Sequence, residues 1–368
     1  MTRYHFTPPS PRDAITDAAL MRPSRGDVAD LPNDPALLWL DKNENNDPIL
    51  SALTAKILSE IPPSAIYSYP ELDSLYRKLA AHVGVEPDQL LLTAGSDGAI
   101  HTVFEAYVQP GDVVIHTEPT YGMYPVYCQM FGAKPIAVDC RPTNEGPRLY
   151  ADEMIAAIGR ERPKLVCLPN PDSPTGTVLE ADELRAVVEA AGEAGALMLI
   201  DEAYYPFYLE TVVPWTDQFG HLVVVRTTAK AWGLAGLRLG YAVSPTPVTA
   251  YLHKVRPMYE VNTLAAEVFE RLLDHEDAMR ASVVRLNAGK AAFIAAMAAL
   301  GLRTHAGYGN FFHVDFGAQA DKVHGALKGM VYYRKEFDHP ALAGFSRFSA
   351  TSPDLLQPVI DKIKETID

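Results

Sequence analysis

The chain has 368 residues, 48% hydrophobic and 21% charged, with 32 basic against 46 acidic side chains and a net charge of −14. That balance excludes a general nucleic-acid or anionic-membrane binder, because a polyanion repels a surface of its own sign. Composition is that of an ordered globular protein, long enough for two lobes at about 150 residues per domain.

Three cysteines, Cys128, Cys140 and Cys167, form no CxxC pair and no disulfide framework, which suits a reducing compartment. Residues Met1 to Ser10 lack the apolar stretch of a secretory signal, and no apolar run is long enough to span a bilayer. The eleven histidines show no ligand spacing such as HExxH. A soluble, cytoplasmic protein with no metal site and no membrane or nucleic-acid partner is expected.

Residues 1–48 read as an irregular arm that joins the C-terminal lobe. Within it, Leu38-Trp39-Leu40 runs into Asp41-Lys42-Asn43-Glu44-Asn45-Asn46-Asp47-Pro48, where the density of amides and carboxylates favours a solvated loop. Apolar spacing predicts helices over 49–61 and 72–83, the second with Leu72, Leu75, Leu79 and Val83 on one face. Between them, Tyr67-Ser68-Tyr69-Pro70 reads as extended, because the residue before proline avoids the helical region.

From Leu90 a strand–helix alternation sets in. Apolar strands are predicted at 90–93, 112–116, 135–138, 165–168, 197–201 and 223–225, with helices between most of them. Continuously apolar strands separated by helices indicate an α/β fold, with a mostly parallel sheet covered on both faces. This large domain is placed at 49–257. A smaller α+β domain, 258–368, follows, with a long helical stretch from Asn262 towards Leu300, strands near 311–315 and 329–333, and a last helix from Pro353.

Ligands of such sheets bind beyond the carboxyl ends of the strands, so the polar residues there carry the functional reading. Lys230 follows Val223-Val224-Val225-Arg226-Thr227-Thr228-Ala229; a lysine there either snorkels to solvent or is desolvated into an amine nucleophile. Asp201, ending Leu197-Met198-Leu199-Ile200, either caps the next turn or keeps a heteroaromatic nitrogen protonated. Gly95-Ser96-Asp97-Gly98 opens a helix whose free N–H groups can cradle a phosphate, and it is not the GxGxxG of a dinucleotide fold. Arg238 completes an anion site or makes a surface ion pair, and Tyr121 stacks on a planar ligand or packs in the core. An amine nucleophile, an acid for a ring nitrogen, a phosphate cradle and a stacking ring together describe a pyridoxal 5′-phosphate pocket.

Pro119-Thr120-Tyr121-Gly122-Met123-Tyr124, Asn170-Pro171-Asp172-Ser173-Pro174-Thr175-Gly176, Asp201-Glu202-Ala203-Tyr204 and Lys230-Ala231-Trp232-Gly233-Leu234-Ala235-Gly236-Leu237-Arg238-Leu239-Gly240-Tyr241 resemble the signature set of fold-type I aminotransferases, in the histidinol-phosphate aminotransferase-like branch. The matches run in order from Asp41 to about Leu356. The resemblance implies a pyridoxal-phosphate aminotransferase in which Lys230 forms the Schiff base and moves the proton. It implies Asp201 on the pyridinium nitrogen, Tyr204 and Ser173 on the phenolic oxygen, Tyr121 on the ring, and Ser96, Asp97, Thr227 and Arg238 around the phosphate. Tyr69 matches a tyrosine that reaches the neighbouring subunit's phosphate, implying a homodimer with shared sites. Arg347 matches the arginine on the substrate carboxylate, and Asn310 and Arg334 fall on positions near the substrate, an amino acid or oxo acid.

The chain departs from the family at Ser173, where asparagine is usual, at Ala229, which replaces a phosphate-binding serine unless Thr227 or Thr228 substitutes, and at Ser68, which replaces an arginine. Met21-Arg22-Pro23-Ser24-Arg25-Gly26-Asp27 follows the family's substrate-contacting arm only loosely. These changes leave the cofactor chemistry in place and do not extend the likeness to a choice of substrate. Two other readings stay open: a decarboxylase of phosphorylated amino acids on the same scaffold, and a nucleotide-binding α/β dehydrogenase or binding module.

Overall fold

A computed structural model describes residues 12–15 and 37–367. At its centre lies a seven-stranded sheet in the order β2-β10-β9-β8-β7-β3-β4. Before it comes β1 (Leu38–Trp39); the sheet itself takes β2 (Leu90–Thr93), β3 (Val113–Glu118) and β4 (Lys134–Asp139). A hairpin of β5 (Arg141–Thr143) and β6 (Gly146–Arg148) stands apart, and β7 (Leu165–Pro169), β8 (Leu197–Asp201), β9 (Leu222–Thr227) and β10 (Gly240–Val243) complete the sheet. Neighbouring strands pair in parallel except for β10, antiparallel to both β2 and β9.

Burial on both faces explains the unbroken apolar runs. Leu90, Leu92, Ile115, Val166, Met198, Ile200 and Val224 enter one core, while their chain neighbours Leu91, Val114, Leu165, Cys167, Leu199, Val223 and Val225 enter the other. Period-two alternation sends successive side chains to opposite sides, and helices cover each side. Six strands therefore share a direction, and their carboxyl ends open along one edge.

A second sheet, β11 (Arg303–His305), β12 (Phe311–Asp315) and β14 (Phe345–Ser349), is antiparallel. It builds a third core with Leu40, Phe293, Phe312, Phe348, Leu356 and Ile360. In addition β1 pairs in parallel with β13 (Val331–Tyr332), tying the segment before the first helix to the C-terminal part. We propose that the chain divides as its sequence suggests, into an arm (1–48), a large lobe (49–257) and a small lobe (258–368). In support, Leu40 of the arm packs in the third core. The helix Thr263–Leu272 packs on the large core, and the long helix Glu276–Ala299 runs from that core (Met279, Val283) to the third (Phe293, Met297).

Local expectations differ from the structure in several places, β11 and β14 of the small sheet among them. The hairpin at 141–148 is not anticipated, because its six paired residues include two prolines and no apolar alternation. Nor is β10, only four residues long and held by partners on both sides. Tyr67 closes a one-turn helix, Ser64–Tyr67, and extended backbone begins at Ser68 with ψ 143°. Proline constrains only the residue directly before it, so the constraint from Pro70 falls on Tyr69 and does not reach Tyr67.

Gly240 sits where β10 meets the start of the helix Gly95–Tyr107. A Cβ at this position would strike the Gly95 carbonyl carbon and the Ser96 amide nitrogen, both backbone atoms that cannot rotate away. Gly240→Ala is expected to cost about 1–3 kcal/mol through overpacking and to weaken cofactor binding by moving the Ser96 amide. Thermal melting and cofactor titration of the variant check this, and an unchanged cofactor affinity would contradict it.

Among the described residues no helix is long and apolar enough to cross a membrane.

Candidate active site

The ends of β2, β3, β7, β8 and β9 surround a cavity of about 650 Å³. Its wall includes Ser96, Asp97, Tyr121, Ser173, Asp201, Tyr204, Thr227, Lys230, Arg238, Arg334 and Arg347. Two residues singled out from the sequence are not on that wall. Asn310 is fully buried behind it, donating from Nδ2 to the Asn43 carbonyl at 2.9 Å. Tyr69 is 73% exposed and stacks on Tyr259 with ring centroids 4.3 Å apart. Met21 to Asp27 lie outside the described residues.

Lys230 follows β9 and turns its amine into the cavity, where Nζ donates to the Lys42 carbonyl at 2.8 Å. Burial, and then the nearby guanidiniums of Arg347 and Arg238, push its pKa down to about 8. A sizeable neutral fraction near physiological pH is what a carbonyl-attacking amine needs.

Asp201 ends β8, is buried, and among the described residues accepts hydrogen bonds from neutral groups: the Ala203 amide at 3.0 Å and the Tyr124 hydroxyl at 3.2 Å. Burial pushes its pKa up to about 7, against the pull of those two donors. Among the described residues no cation is hydrogen-bonded to it, and a buried carboxylate so placed is costly. A protonated ring nitrogen placed against it would supply the missing charge.

The helix Gly95–Tyr107 opens on the cavity with Ser96 in its first turn. Arg238 lies against this turn: a Cβ on Gly95, whose φ is +80°, would come within 2.9 Å of Nη2. Free amides at a helix start and a guanidinium in one small cradle suit a phosphate dianion. Asp97 keeps its own charge out of that cradle, since Oδ1 accepts from the Tyr121 hydroxyl at 3.2 Å and the Tyr127 hydroxyl at 2.9 Å. Of the two threonines before Ala229, Thr228 turns its hydroxyl away to the Leu239 carbonyl at 2.8 Å, and Thr227 lines the cavity. The residues present therefore fit a pyridoxal phosphate at both ends, ring nitrogen and phosphate.

Tyr204 is buried, packs edge-on against Phe311 at 5.2 Å, and accepts a hydrogen bond from Asn43 Nδ2 at 2.9 Å. Burial raises the pKa of its phenol, against the pull of the nearby Arg347 guanidinium and of hydrogen bonds from Ser173 and Asn43. Arg347, on β14, is 7% exposed and donates from Nη2 to the Asp41 carbonyl at 2.7 Å, while its Nε has no hydrogen-bond partner among the described residues. Burial brings even this guanidinium down to about 10. Arg334 pairs with it across a β-bridge, and Phe337 lies near both, 4.5 Å from the Arg334 guanidinium carbon and 5.9 Å from that of Arg347. A desolvated cation with open donors is a site for an anionic end group.

Sequence reasoning missed Asn43 and the loop carrying Phe337, Asp338 and His339, all on the cavity wall, and the structural part played by Asp172. Asp172 is buried and ties two strand ends together: Oδ2 accepts from Thr117 at 3.0 Å, and Oδ1 from the Thr175 hydroxyl at 2.6 Å and its amide at 3.2 Å. Its pKa, pushed up by burial to about 6, marks an acid whose partners are again all neutral.

Residues 35–363 match the family model described as aminotransferase class I and II. The chain is 32% identical over 338 residues to a histidinol-phosphate aminotransferase of Roseiflexus castenholzii, covering 89% of each. With a protein of the same name from Caldanaerobacter subterraneus subsp. tengcongensis it shares 37% identity over 203 residues, 55% of this chain and 56% of that one. A solved histidinol-phosphate aminotransferase from Sinorhizobium meliloti, in complex with pyridoxal 5′-phosphate, has the same fold, with TM-score 0.77 over 90% of both chains at 21% identity. The sheet order, the cavity at the strand ends and these matches agree: the chain belongs to the class I and II aminotransferases, a pyridoxal 5′-phosphate-dependent family.

Proposed function

We propose that the protein exchanges an amino group between an amino acid and a 2-oxo acid or other carbonyl substrate, with Lys230 as the amine that holds the cofactor and carries the proton. The observation that carries this reading is that the Lys230 amine, the Asp201 carboxylate and the Arg347 guanidinium open into one cavity. When bound, the cofactor supplies a ring that takes up the electron pair left as the substrate's Cα–H bond breaks. Asp201 keeps the ring nitrogen protonated. Tyr204 and Ser173 hold the phenolic oxygen, Tyr121 covers the ring, and Ser96, the Asp97 backbone, Thr227 and Arg238 hold the phosphate. Arg347 fixes the substrate's anionic end so that the proton to be removed faces Lys230.

The two guanidiniums suit a carboxylate and, acting together, a second anionic group such as the phosphate named in the relatives. The relatives are aminotransferases and do not favour the decarboxylase reading. A panel of glutamate, other amino acids and histidinol phosphate, added singly to the holoenzyme, tests the proposal. At least one should bleach the cofactor's visible band, and a 2-oxo acid should restore it. Bleaching with release of CO₂ and no restoration would overturn it. Arg347→Ala is expected to lower kcat/KM about a hundredfold or more, the cost of losing one partner of a buried charge pair; steady-state kinetics with the active amino acid measures this.

A homodimer with shared sites is part of the proposal. Ile66, Tyr67, Tyr69 and Met258 are 73–84% exposed, beside Tyr259, which is more apolar surface than a lone subunit usually leaves around one stacked pair. Tyr69, exposed and not on the wall of its own cavity, would serve the partner's. The three free, buried cysteines support a cytoplasmic setting.

A further inference from the structure

Asn43 falls in the run of amides and carboxylates that reads from sequence as a solvated loop, yet it is 3% exposed and lies on the cavity wall. Its backbone is left-handed, φ 58°, a conformation that asparagine tolerates better than most residues. The segment around it is laced to the small sheet. Ser349 donates its amide to the Leu40 carbonyl at 2.8 Å, Arg347 Nη2 donates to the Asp41 carbonyl at 2.7 Å, and the Asn43 amide donates to Ser349 Oγ at 2.8 Å. Asn310 Nδ2 closes the set on the Asn43 carbonyl at 2.9 Å. Residues 40–43 are thereby held to Arg347 and its strand.

Two groups of this segment face the large sheet's strand ends: the Lys42 carbonyl, which accepts from Lys230 Nζ, and the Asn43 side chain, which donates from Nδ2 to the Tyr204 hydroxyl. The orientation of the amide follows from its surroundings: Ser349 Oγ, which accepts from the Asn43 amide, lies 3.5 Å from Asn43 Oδ1 as a donor, leaving Nδ2 for Tyr204. With the Asn43 N–H directed into its oxygen, Tyr204 must send its single O–H elsewhere, and Ser173, which also hydrogen-bonds this phenol, stands with it on the cavity wall.

We propose that Asn43 is a positioning residue that couples the substrate-carboxylate site at Arg347 to the phenol of Tyr204, and so to the proton affinity of the cofactor's phenolic side. It rests on the reading of Arg347 as the carboxylate-binding arginine. When a carboxylate draws on Arg347, the bond to the Asp41 carbonyl changes, residues 41–43 shift with it, and the donor at Tyr204 moves. The departure at Ser173, a short side chain where the family has an amide, leaves Asn43 as the amide beside that phenol.

The test is a pH titration of the visible absorption of the holoenzyme, with and without succinate as an unreactive carboxylate probe. In the wild type succinate should move the midpoint by about one pH unit, a tenfold change in proton affinity. In Asn43→Gly, which keeps the backbone conformation open, the shift should fall below about a third of that, with succinate affinity within about threefold of wild type. In Asn43→Asp the donor becomes an acceptor that pulls the Tyr204 proton away, so the midpoint should rise even without succinate. A full succinate shift in Asn43→Gly, or a wild-type midpoint that succinate leaves unmoved, overturns the coupling. If Asn43→Gly does not fold, an unmoved midpoint in Asn43→Asp overturns it. Arg347→Ala is the separate arm: retained succinate affinity there refutes the carboxylate reading of Arg347, while the Asn43 comparison still decides the link to Tyr204.

Discussion

Replacing Lys230 with alanine should lower turnover by about 10⁴-fold or more, because the proposed mechanism makes a single amine both the covalent anchor and the proton carrier. The fold should survive. Among the described residues the side chain hydrogen-bonds the Lys42 carbonyl, and the change removes a desolvated amine rather than a packed apolar group. The pH dependence of stability gives a second readout in the cofactor-free protein. With a folded-state pKa of about 8 against 10.5 unfolded, the native chain binds fewer protons than the unfolded one between those values. Stability from this group is therefore present above 10.5 and lost as pH falls through 8. Lys230→Ala should lack that slope. Thermal melts of both cofactor-free proteins across pH 8 to 10 measure it; a variant whose melting curve keeps the wild-type slope would place the perturbed amine elsewhere.

Asp201→Asn should lower kcat/KM about 10³-fold with the cofactor still bound, because the neutral amide no longer favours a protonated ring nitrogen. Stability should respond with the opposite sign. The folded-state pKa of Asp201 is about 7 against 3.8 for an unperturbed aspartate. The native state binds more protons than the unfolded state in that window, so stability is full below 3.8 and is lost as pH rises through 7. Cofactor-free Asp201→Asn escapes this loss and should melt about 2–4 °C above the cofactor-free wild type at pH 8. The holoenzyme should show no such gain, because there the carboxylate has its cation. Calorimetry of the four species tests the pairing, and a cofactor-free variant less stable than wild type at pH 8 would contradict it. The design is one in which an acid is left costly in the empty protein so that it discriminates the charged ring.

How much of this was legible in the sequence follows from how far each contact reaches along the chain. Asp201 and Lys230 stand at the ends of apolar runs buried on both faces, and such runs announce where polar side chains must emerge. Ser96 is similarly marked, by the glycine at the turn before it and the helix after it. The choice between Thr227 and Thr228 was not legible. Both carry hydroxyls, and only the alternation of β9 together with the Leu239 carbonyl sends one outward and the other inward. Asn43 left no local signal at all. Its partners are 161, 267 and 306 residues away, and they meet it because the two sheets converge on residues 40–43. The same holds for Phe337 and His339, which reach the cavity through the loop after β13, a place apolar periodicity does not describe. Tyr69 is the reverse case, because it matches a motif yet does not line its own cavity, and its expected partner is another subunit.

The central claim is that one amine, at position 230, holds the cofactor. Borohydride reduction of the holoenzyme followed by proteolysis and mass mapping tests it most directly. The account predicts a single modified peptide, with the reduced cofactor on Lys230 and none on Lys42, the other lysine on the cavity wall. Label on Lys42 or any other lysine, or no label on a coloured holoenzyme, would contradict it.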